Sequence, residues 1–207
     1  MKKTIAEINR FKILDEQTLT AFYGFNQEWY SSKWKKTAGC GPTIASSIYL
    51  YLSFFSENQT KKECIPLQEM LWSYVKPSIF GISTIVEFKN KFEKFTNEHE
   101  PSITFKMFEV LKKKDNNKQE FINFIMDEIN NNHPIAFLNR DNGNQKNLDR
   151  WHWTIIVGYE KLEDELMVDV IDNGDLITIN SSQWYDSTRL GGGCVSVFHK
   201  EEEIWKR

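Results

Sequence analysis

Cys40 occupies the position in this 207-residue sequence that best fits a reactive nucleophile. Pro42 favours the first turn of a helix, because its missing N–H costs nothing there. Behind it, apolar residues at helical spacing predict one buried face, formed by Ile44, Ile48, Leu52 and Phe55. A helix N-terminus carries partial positive charge and free N–H groups, which favour a thiolate and can hold an oxyanion. Cys40 is therefore a candidate nucleophile.

The glycines on either side of Cys40 admit two interpretations of this segment. Gly39 and Gly41 would leave room for a substrate backbone to approach the thiol. An isolated cysteine, however, usually serves as a small buried hydrophobe. A catalytic thiol needs a base to take its proton and a third group to orient that base, so the choice depends on residues elsewhere.

His152 has the surroundings that best suit a general base. It opens the apolar segment 151–159, so a strand would fix the ring while Trp151 and Trp153 shield it from bulk water. The alternative is a strand-edge histidine that only packs between aromatic side chains. Of the remaining histidines, His99 lies in a polar loop before a proline and His133 at a helix-to-strand turn. His199 lies at the end of a strand, before an acidic tail.

An orienting group for His152 is expected where the β-rich run 167–171 ends. A strand pair joined by the polar turn at 161–164 would bring either Asp172 or Asn173 beside the histidine. If Tyr159 pairs with Glu165, Asp172 lies opposite His152, and a slip of one residue substitutes Asn173. The composition of Asp172, Asn173 and Gly174 is also that of a simple turn.

The elements that must position these residues follow from hydrophobic periodicity. Four helices are predicted. The first runs from Pro42 to near residues 57–58, and the second covers 66–75. The third follows a capping box of Thr84 and Glu87, and the fourth, capped by Asp115, carries Phe121, Ile125 and Ile129. Strands are predicted over 102–110, 134–138, 151–159, 167–171, 176–179 and 194–198. Because helices fill the first half and strands the second, we expect an α+β fold with a largely antiparallel sheet.

The chain length fits a single domain over residues 1–207. Residues 1–37 are mixed polar and aromatic, and we expect them to form a lead-in with a short helix followed by an irregular segment. The run of lysines at 112–114 is expected to lie in a solvated loop, and the glycines at 191–193 in a turn.

Composition argues against several classes of function. A net charge of −3 and a pI near 5.9 argue against general binding to nucleic acid or anionic membranes. No two histidines share a helix face and no phosphate-binding glycine motif occurs, so we expect no metal and no cofactor.

Cysteine usage and the N-terminus predict a compartment. Three cysteines at wide spacing form neither a disulfide framework nor a metal-binding pair, and cysteines that can stay reduced fit the cytoplasm. The N-terminus lacks the apolar run of a secretory signal, and no stretch is long enough for a transmembrane helix. We therefore expect a cytoplasmic protein without a membrane partner.

Three short blocks carry a resemblance to a known family: Cys-Gly-Pro-Thr at 40–43, His-Trp through Gly-Tyr at 152–159, and a strand ending in Asp172. In this order the chain resembles the papain-like cysteine peptidase superfamily, and within it the C39-like, or bacteriocin-processing-like, peptidases. The resemblance spans roughly residues 38–198. It implies a papain-like fold with the nucleophile helix packed on an antiparallel sheet, and the roles of nucleophile, base and orienter for Cys40, His152 and Asp172. It also favours Asp172 over Asn173.

The sequence departs from the family pattern at the residue expected to complete the oxyanion hole. The family places a glutamine about six residues before the cysteine, where this chain has Trp34. The nearest upstream amides are Asn26 and Gln27, of which we expect Gln27 to reach the thiol. Without either, the backbone N–H of Cys40 would act alone, and losing one such donor costs about 10²–10³ in rate.

These features predict a thiol-dependent hydrolase that cleaves a peptide or amide bond through an acyl-enzyme on Cys40. Its partner would be a peptide or protein substrate. One alternative is an acyltransferase or transglutaminase-like enzyme that uses the same three residues. The other is a non-catalytic binding module on the same fold, which the tryptophan at the glutamine position would suit.

Overall fold

The computed structural model describes residues 1–53, 59–111 and 117–200, which form a mixed helix–sheet fold. The strands are β1 (Lys2–Thr4), β2 (Lys12–Asp15), β3 (Thr20–Tyr23), β4 (Gln59–Thr60), β5 (Ile103–Val110), β6 (Ile135–Asn139), β7 (His152–Lys161), β8 (Leu166–Asp172), β9 (Asp175–Asn180) and β10 (Gly192–His199). The α-helices are α1 (Lys33–Ala38), α2 (Cys40–Leu52), α3 (Lys61–Tyr74), α4 (Ile85–His99), α5 (Lys118–Asn130) and α6 (Ser181–Ser187). Two 3₁₀ helices, Ile8–Phe11 and Gln27–Trp29, precede α1.

The seven-stranded main sheet is antiparallel, as the sequence predicted. Its strand order is β5-β10-β6-β7-β8-β9, and β1 pairs with the second half of β7. Because β7 and β8 run antiparallel, the start of β7 and the end of β8 lie at the same end of the sheet. His152 and Asp172 occupy those two ends.

The division into a helical first half and a β second half is wrong. β1 adds to the main sheet, β2 and β3 form a hairpin, and β4 pairs with β2 in parallel. The short helix expected near the start is present as the 3₁₀ helix Ile8–Phe11, but β2 and β3 follow it where an irregular segment was expected. Strands of three or four residues are too short to show a clear alternation, so the sequence pattern did not indicate them.

Helix α2 begins at Cys40, two residues before the start that Pro42 indicated, and it is more deeply enclosed than expected. Eleven of its 13 residues are buried, so it is a central helix rather than one with a single apolar face. The helix ends at Leu52 with Ser53 as its C-cap. The expected end near residues 57–58, and Phe55 of the expected apolar face, lie outside the described residues.

Caps explain where the other helices begin. α3 starts five residues before the predicted Pro66, because Thr60 and Glu63 form a capping box. At α4 the Thr84 side chain accepts the Glu87 N–H, as the sequence suggested. The N-cap of α5 is Asn117, whereas the expected cap, Asp115, lies outside the described residues.

Helices cover both faces of the main sheet. Phe88 of α4 stacks on Trp153 of β7 with ring centroids 4.4 Å apart, and Phe137 of β6 meets Trp184 of α6 edge to face at 4.7 Å. Trp153 pairs with Leu138, the neighbour of Phe137, so these contacts lie on opposite faces. The apolar core therefore fills the space on either side of the strands that carry His152 and Asp172.

Candidate active site

Cys40 is the first residue of α2, and only Gly39 separates it from the end of α1. Its side chain is partly exposed, whereas Cys64 and Cys194 are buried. The N–H groups of Cys40 and Gly41 belong to the first helical turn and have no acceptor within the helix. The thiol therefore lies at the positive end of a buried helix, next to free donors.

The glycines beside Cys40 serve packing rather than substrate access, which corrects the sequence interpretation. A Cβ on Gly39 would collide with the Lys35 carbonyl and come within 2.7 Å of the Tyr30 ring. A Cβ on Gly41 would lie 2.8 Å from Ile82. Both glycines let the protein itself close around the start of α2.

The His152 ring lies between Asp172 and Cys40. Its Nε2 is 2.7 Å from Oδ1 of Asp172, and the residue is only 9% exposed. Burial opposes a charged ring, but the hydrogen bonds and charges of Asp172 and Cys40 outweigh it and raise the pKa of His152 to about 10. His152 is therefore an imidazolium near neutral pH, with Nδ1 left for the sulfur.

The register that brings Asp172 to His152 is neither of the two considered from the sequence. Tyr159 pairs with Val168, not with Glu165 or Leu166, and the pairing shifts by one residue between Ile156 and Gly158. After this β-bulge, Ile155 pairs with Ile171, so Asp172 lies level with Thr154 and diagonal to His152 on the same face. Without the bulge, alternation would turn Asp172 to the other face.

Asn173 holds the lead-in segment instead of the histidine. Its Oδ1 accepts the Gln27 N–H at 3.3 Å, and its carbonyl accepts the Asn26 side-chain N–H at 2.6 Å. Its φ is +47°, in the left-handed region that asparagine tolerates. The structure therefore brings Asp172, and not Asn173, into hydrogen-bond contact with His152.

The two candidate oxyanion amides have different partners. Asn26 bonds at both ends of its amide, because Nδ2 donates to the Asn173 carbonyl and Oδ1 accepts the Glu28 N–H at 2.8 Å. Gln27 donates through Nε2 to the carbonyl of Lys36 on α1, while its buried Oε1 has no partner within the described part of the chain. An amide nitrogen carries two donors, so Gln27 keeps one N–H beyond the bond to Lys36.

The other histidines are held away from Cys40 by contacts of their own. His99 bonds the Phe95 carbonyl and stacks on that ring, and His133 bonds Glu128. His199 bonds Ser102 and the Leu52 carbonyl. His152, by contrast, has a pKa that Cys40 helps to raise.

Burial separates the other two cysteines from Cys40. It raises the pKa of the Cys64 thiol to about 12, helped by the charges of Glu63 and Glu16. Burial alone raises the pKa of Cys194 even further. Both remain thiols across the working range of most enzymes, and thiols react slowly.

A cleft of about 270 Å³, lined mostly by apolar residues, opens beside Cys40. Apart from the Cys40 thiol, none of the described residues that line it has an ionisable side chain. Four of them are large and exposed at its rim: Trp34, Ile79, Phe80 and Trp151. Trp34, which stands where the resemblance led us to expect a glutamine, therefore forms part of the cleft wall.

Sequence reasoning missed Ile79 and Phe80, although their setting was visible. Two adjacent apolar residues lie in a short connection between Pro77 and Gly81, where polar residues are usual. The role of Trp151 was less accessible, because its orientation depends on a positive φ of 55° that no residue type indicates.

Neither a metal-binding cluster nor a membrane-spanning helix is found among the described residues. These residues contain no group of three or more His, Cys, Asp or Glu side chains arranged to hold a metal ion. Nor does any helix in them combine the length and apolarity needed to cross a bilayer.

Comparisons of the chain with models of protein families, with curated proteins and with solved structures found no match.

Proposed function

We propose that this protein is a papain-like, thiol-dependent hydrolase that cleaves a peptide or amide bond through an acyl-enzyme on Cys40. The observation that supports it best is the position of His152, bonded to Asp172 at 2.7 Å and raised in pKa by both Asp172 and Cys40. Nucleophile, base and orienter in contact, on three separate elements, are the arrangement that covalent catalysis requires.

The first chemical step is attack by the Cys40 thiolate on the substrate carbonyl carbon. A C–S bond forms, and the negative charge moves to the carbonyl oxygen. When the C–N bond then breaks, the His152 imidazolium gives its proton to the departing nitrogen. The products are a free amine and a thioester on Cys40, and the ring is left neutral.

Hydrolysis of the thioester reverses the role of the ring. Neutral His152 takes a proton from a water molecule, whose oxygen attacks the thioester carbon. The C–S bond breaks, a carboxylic acid leaves, and the thiolate–imidazolium pair is restored. Asp172 holds the ring in the tautomer that presents Nδ1 to the sulfur.

The backbone N–H of Cys40 and the second N–H of Gln27 stabilise the oxyanion. The first belongs to the free donors of the α2 N-terminus. The second comes from an amide anchored to the Lys36 carbonyl on α1, close in sequence to Cys40. The papain-like pattern has a glutamine at the position that Trp34 occupies here. In this proposal Gln27, from the 3₁₀ helix Gln27–Trp29, supplies the amide donor instead.

Alkylation tests the nucleophile without knowledge of the substrate. At pH 6, iodoacetamide should label Cys40 before Cys64 or Cys194, because only Cys40 has an imidazolium beside it. Mass spectrometry of the digested protein locates the label, and Cys40→Ser serves as the matched control. Preferential labelling of Cys64 or Cys194 in the folded protein would contradict the proposal.

An activated ester tests the covalent intermediate. Brief exposure to p-nitrophenyl acetate should place one acetyl group on Cys40, visible in the intact mass and absent from Cys40→Ser. Loss of the acetyl group to water identifies a hydrolase, whereas rapid transfer to added amines identifies an acyltransferase. A protein that never acquires the acetyl group would be the binding module.

A further inference from the structure

We infer that the cleft beside Cys40 holds a large aromatic or branched apolar side chain, carried by the substrate residue whose carbonyl is attacked. This inference rests on the proposed function, since it assigns the substrate class of the same site. Its occupant is the substrate itself, because the cleft is continuous with the nucleophile: Cys40 is one of its walls.

The rim of the cleft exposes more apolar surface than folding requires. Single exposed hydrophobic residues are ordinary, but a contiguous exposed group marks a binding site. Here Ile79 is 79% exposed, Phe80 is 81% exposed and Trp151 is 55% exposed, and all three line one cleft.

The Ile79–Phe80 tip is held firmly in place. Ser78 and Gly81 exchange two backbone hydrogen bonds of 3.2 and 3.0 Å, and the Ser78 hydroxyl bonds both the Phe80 N–H and the Gly81 carbonyl. The base of the turn is fixed to β7, because Trp153 donates its indole N–H to the Ile82 carbonyl at 2.9 Å. Because these bonds fix the backbone of the turn, binding does not have to order that backbone.

Trp151 provides the second, independent observation. Its φ of +55° places a bulky residue in the left-handed region, where such residues are genuine outliers. Strain of this kind persists where the surrounding structure demands it, and it is concentrated at functional sites. Trp151 directly precedes His152, and its indole lies at the cleft instead of in the core.

The size and charge of the cleft limit what fits. Its volume of about 270 Å³ is just below the range of about 300–1,000 Å³ typical of pockets for drug-sized ligands. It therefore suits one large side chain rather than an extended ligand. Apart from Cys40 itself, the walls have no ionisable side chain, so a charged substrate side chain would lack a partner there and an apolar one is favoured.

Two chloromethyl ketones that differ only in the side chain next to the reactive carbon test this assignment. They are derived from N-acetylphenylalanine and N-acetylglycine, and each alkylates a thiolate as a C–S bond forms and chloride leaves. Rates of Cys40 labelling are divided by the iodoacetamide rate of the same variant. In the unaltered protein the phenylalanine probe should react about tenfold faster or more, the discrimination typical of an apolar pocket.

Matched variants separate the cleft from general effects on the fold. Trp151→Asn removes the indole, and asparagine tolerates a positive φ. Leu19→Asn likewise replaces an exposed apolar residue with asparagine at a positive φ, here +57°. Leu19 lies in the β2–β3 turn, outside the cleft lining. We expect the preference for the phenylalanine probe to fall below about threefold in Trp151→Asn and in Phe80→Ser, and to survive in Leu19→Asn.

The outcomes distinguish the two proposals. If iodoacetamide selects Cys40 but the two ketones react equally in the unaltered protein, the cleft assignment is wrong and the hydrolase stands. A preference that persists in both Trp151→Asn and Phe80→Ser also overturns the cleft assignment. If iodoacetamide does not select Cys40, it is the hydrolase that fails. The melting temperatures of all three variants show whether each one is folded.

Discussion

Two carboxylate–histidine pairs in this protein have the same separation and opposite surroundings. His152 Nε2 lies 2.7 Å from Asp172, and His133 Nδ1 lies 2.7 Å from Glu128. Both histidines are buried. Distance and burial therefore do not distinguish the two pairs. The feature that distinguishes them is the third group in contact with each pair.

In the His133 pair the third group is bonded to the carboxylate. Ser196 donates its hydroxyl to the same Glu128 oxygen at 2.6 Å, and the His133 ring stacks on Phe198 with centroids 4.1 Å apart. Burial raises the pKa of Glu128, but hydrogen bonds from His133 and Ser196 and the charges of His133 and Lys106 outweigh it, so the pKa is lowered. Ser196 therefore donates its hydrogen bond to the acid of the pair rather than to the histidine.

In the His152 pair the third group is a thiol next to the ring, and that thiol borders an open cleft. If the proposed function is correct, an acid beside a histidine indicates catalysis only when a nucleophile faces the ring and a substrate has access. The predictions below test this distinction between the two pairs.

Removal of each histidine should give the largest contrast. His152→Ala is expected to lower the hydrolysis of p-nitrophenyl acetate by roughly 10⁴-fold, because the thiol loses its base. His133→Ala is expected to lower the free energy of unfolding by about 1–3 kcal/mol, since the buried Glu128 loses a partner, with little change in hydrolysis. Initial rates and urea unfolding measure the two effects. A large loss of hydrolysis in folded His133→Ala would contradict the claim that only the His152 pair serves hydrolysis.

The acid beside His152 should matter more than its neighbour. Asp172→Ala is expected to reduce hydrolysis by roughly 10²-fold, less than loss of the base itself, because the ring loses its orienter. Asn173→Ala loses the bond to the Gln27 N–H and strains a positive φ, so we expect a stability loss of about 1 kcal/mol. Its hydrolysis should fall less than tenfold.

Asn173→Gly is the matched control, because glycine accepts the left-handed conformation without the side-chain bond. Comparison of the alanine and glycine variants separates backbone strain from the lost hydrogen bond. If Asn173→Ala proved as inactive as Asp172→Ala at equal stability, the orienter would have to be reassigned.

The pH dependence of stability should differ in sign between the two pairs. The pKa of His152 rises from 6.5 to about 10 on folding, so its contribution is full below pH 6.5 and is lost as the pH climbs towards 10. The pKa of Glu128 is lowered from 4.5, so its contribution is present above pH 4.5 and is lost as the pH falls below that value.

Urea unfolding between pH 3 and pH 10 measures both contributions. His152→Ala should flatten the alkaline side of the stability profile, and Glu128→Gln should flatten the acid side. An unchanged alkaline slope in His152→Ala would mean that the histidine is not charged in the folded protein at neutral pH.

The sequence determined the chemistry that is possible in this protein. Pro42 after Cys40 indicated a helix start at the thiol, because proline fits where no N–H is needed. The residue types around His152 indicated a strand that opens with the histidine, and the structure has that strand. These signals are local, since each depends on neighbours within a turn or two of chain.

Only the tertiary structure decided which groups meet. A single bulge near Val157 turns Asp172 to the face of His152, and no residue type specifies where a bulge occurs. The roles of Gly39, Gly41 and Gln27 likewise depend on contacts with Tyr30, Ile82 and Lys36, which come from other elements. The left-handed Trp151 depends on the whole fold to hold it. Side-chain type is encoded at each position, but register and strain are set by the sum of distant contacts.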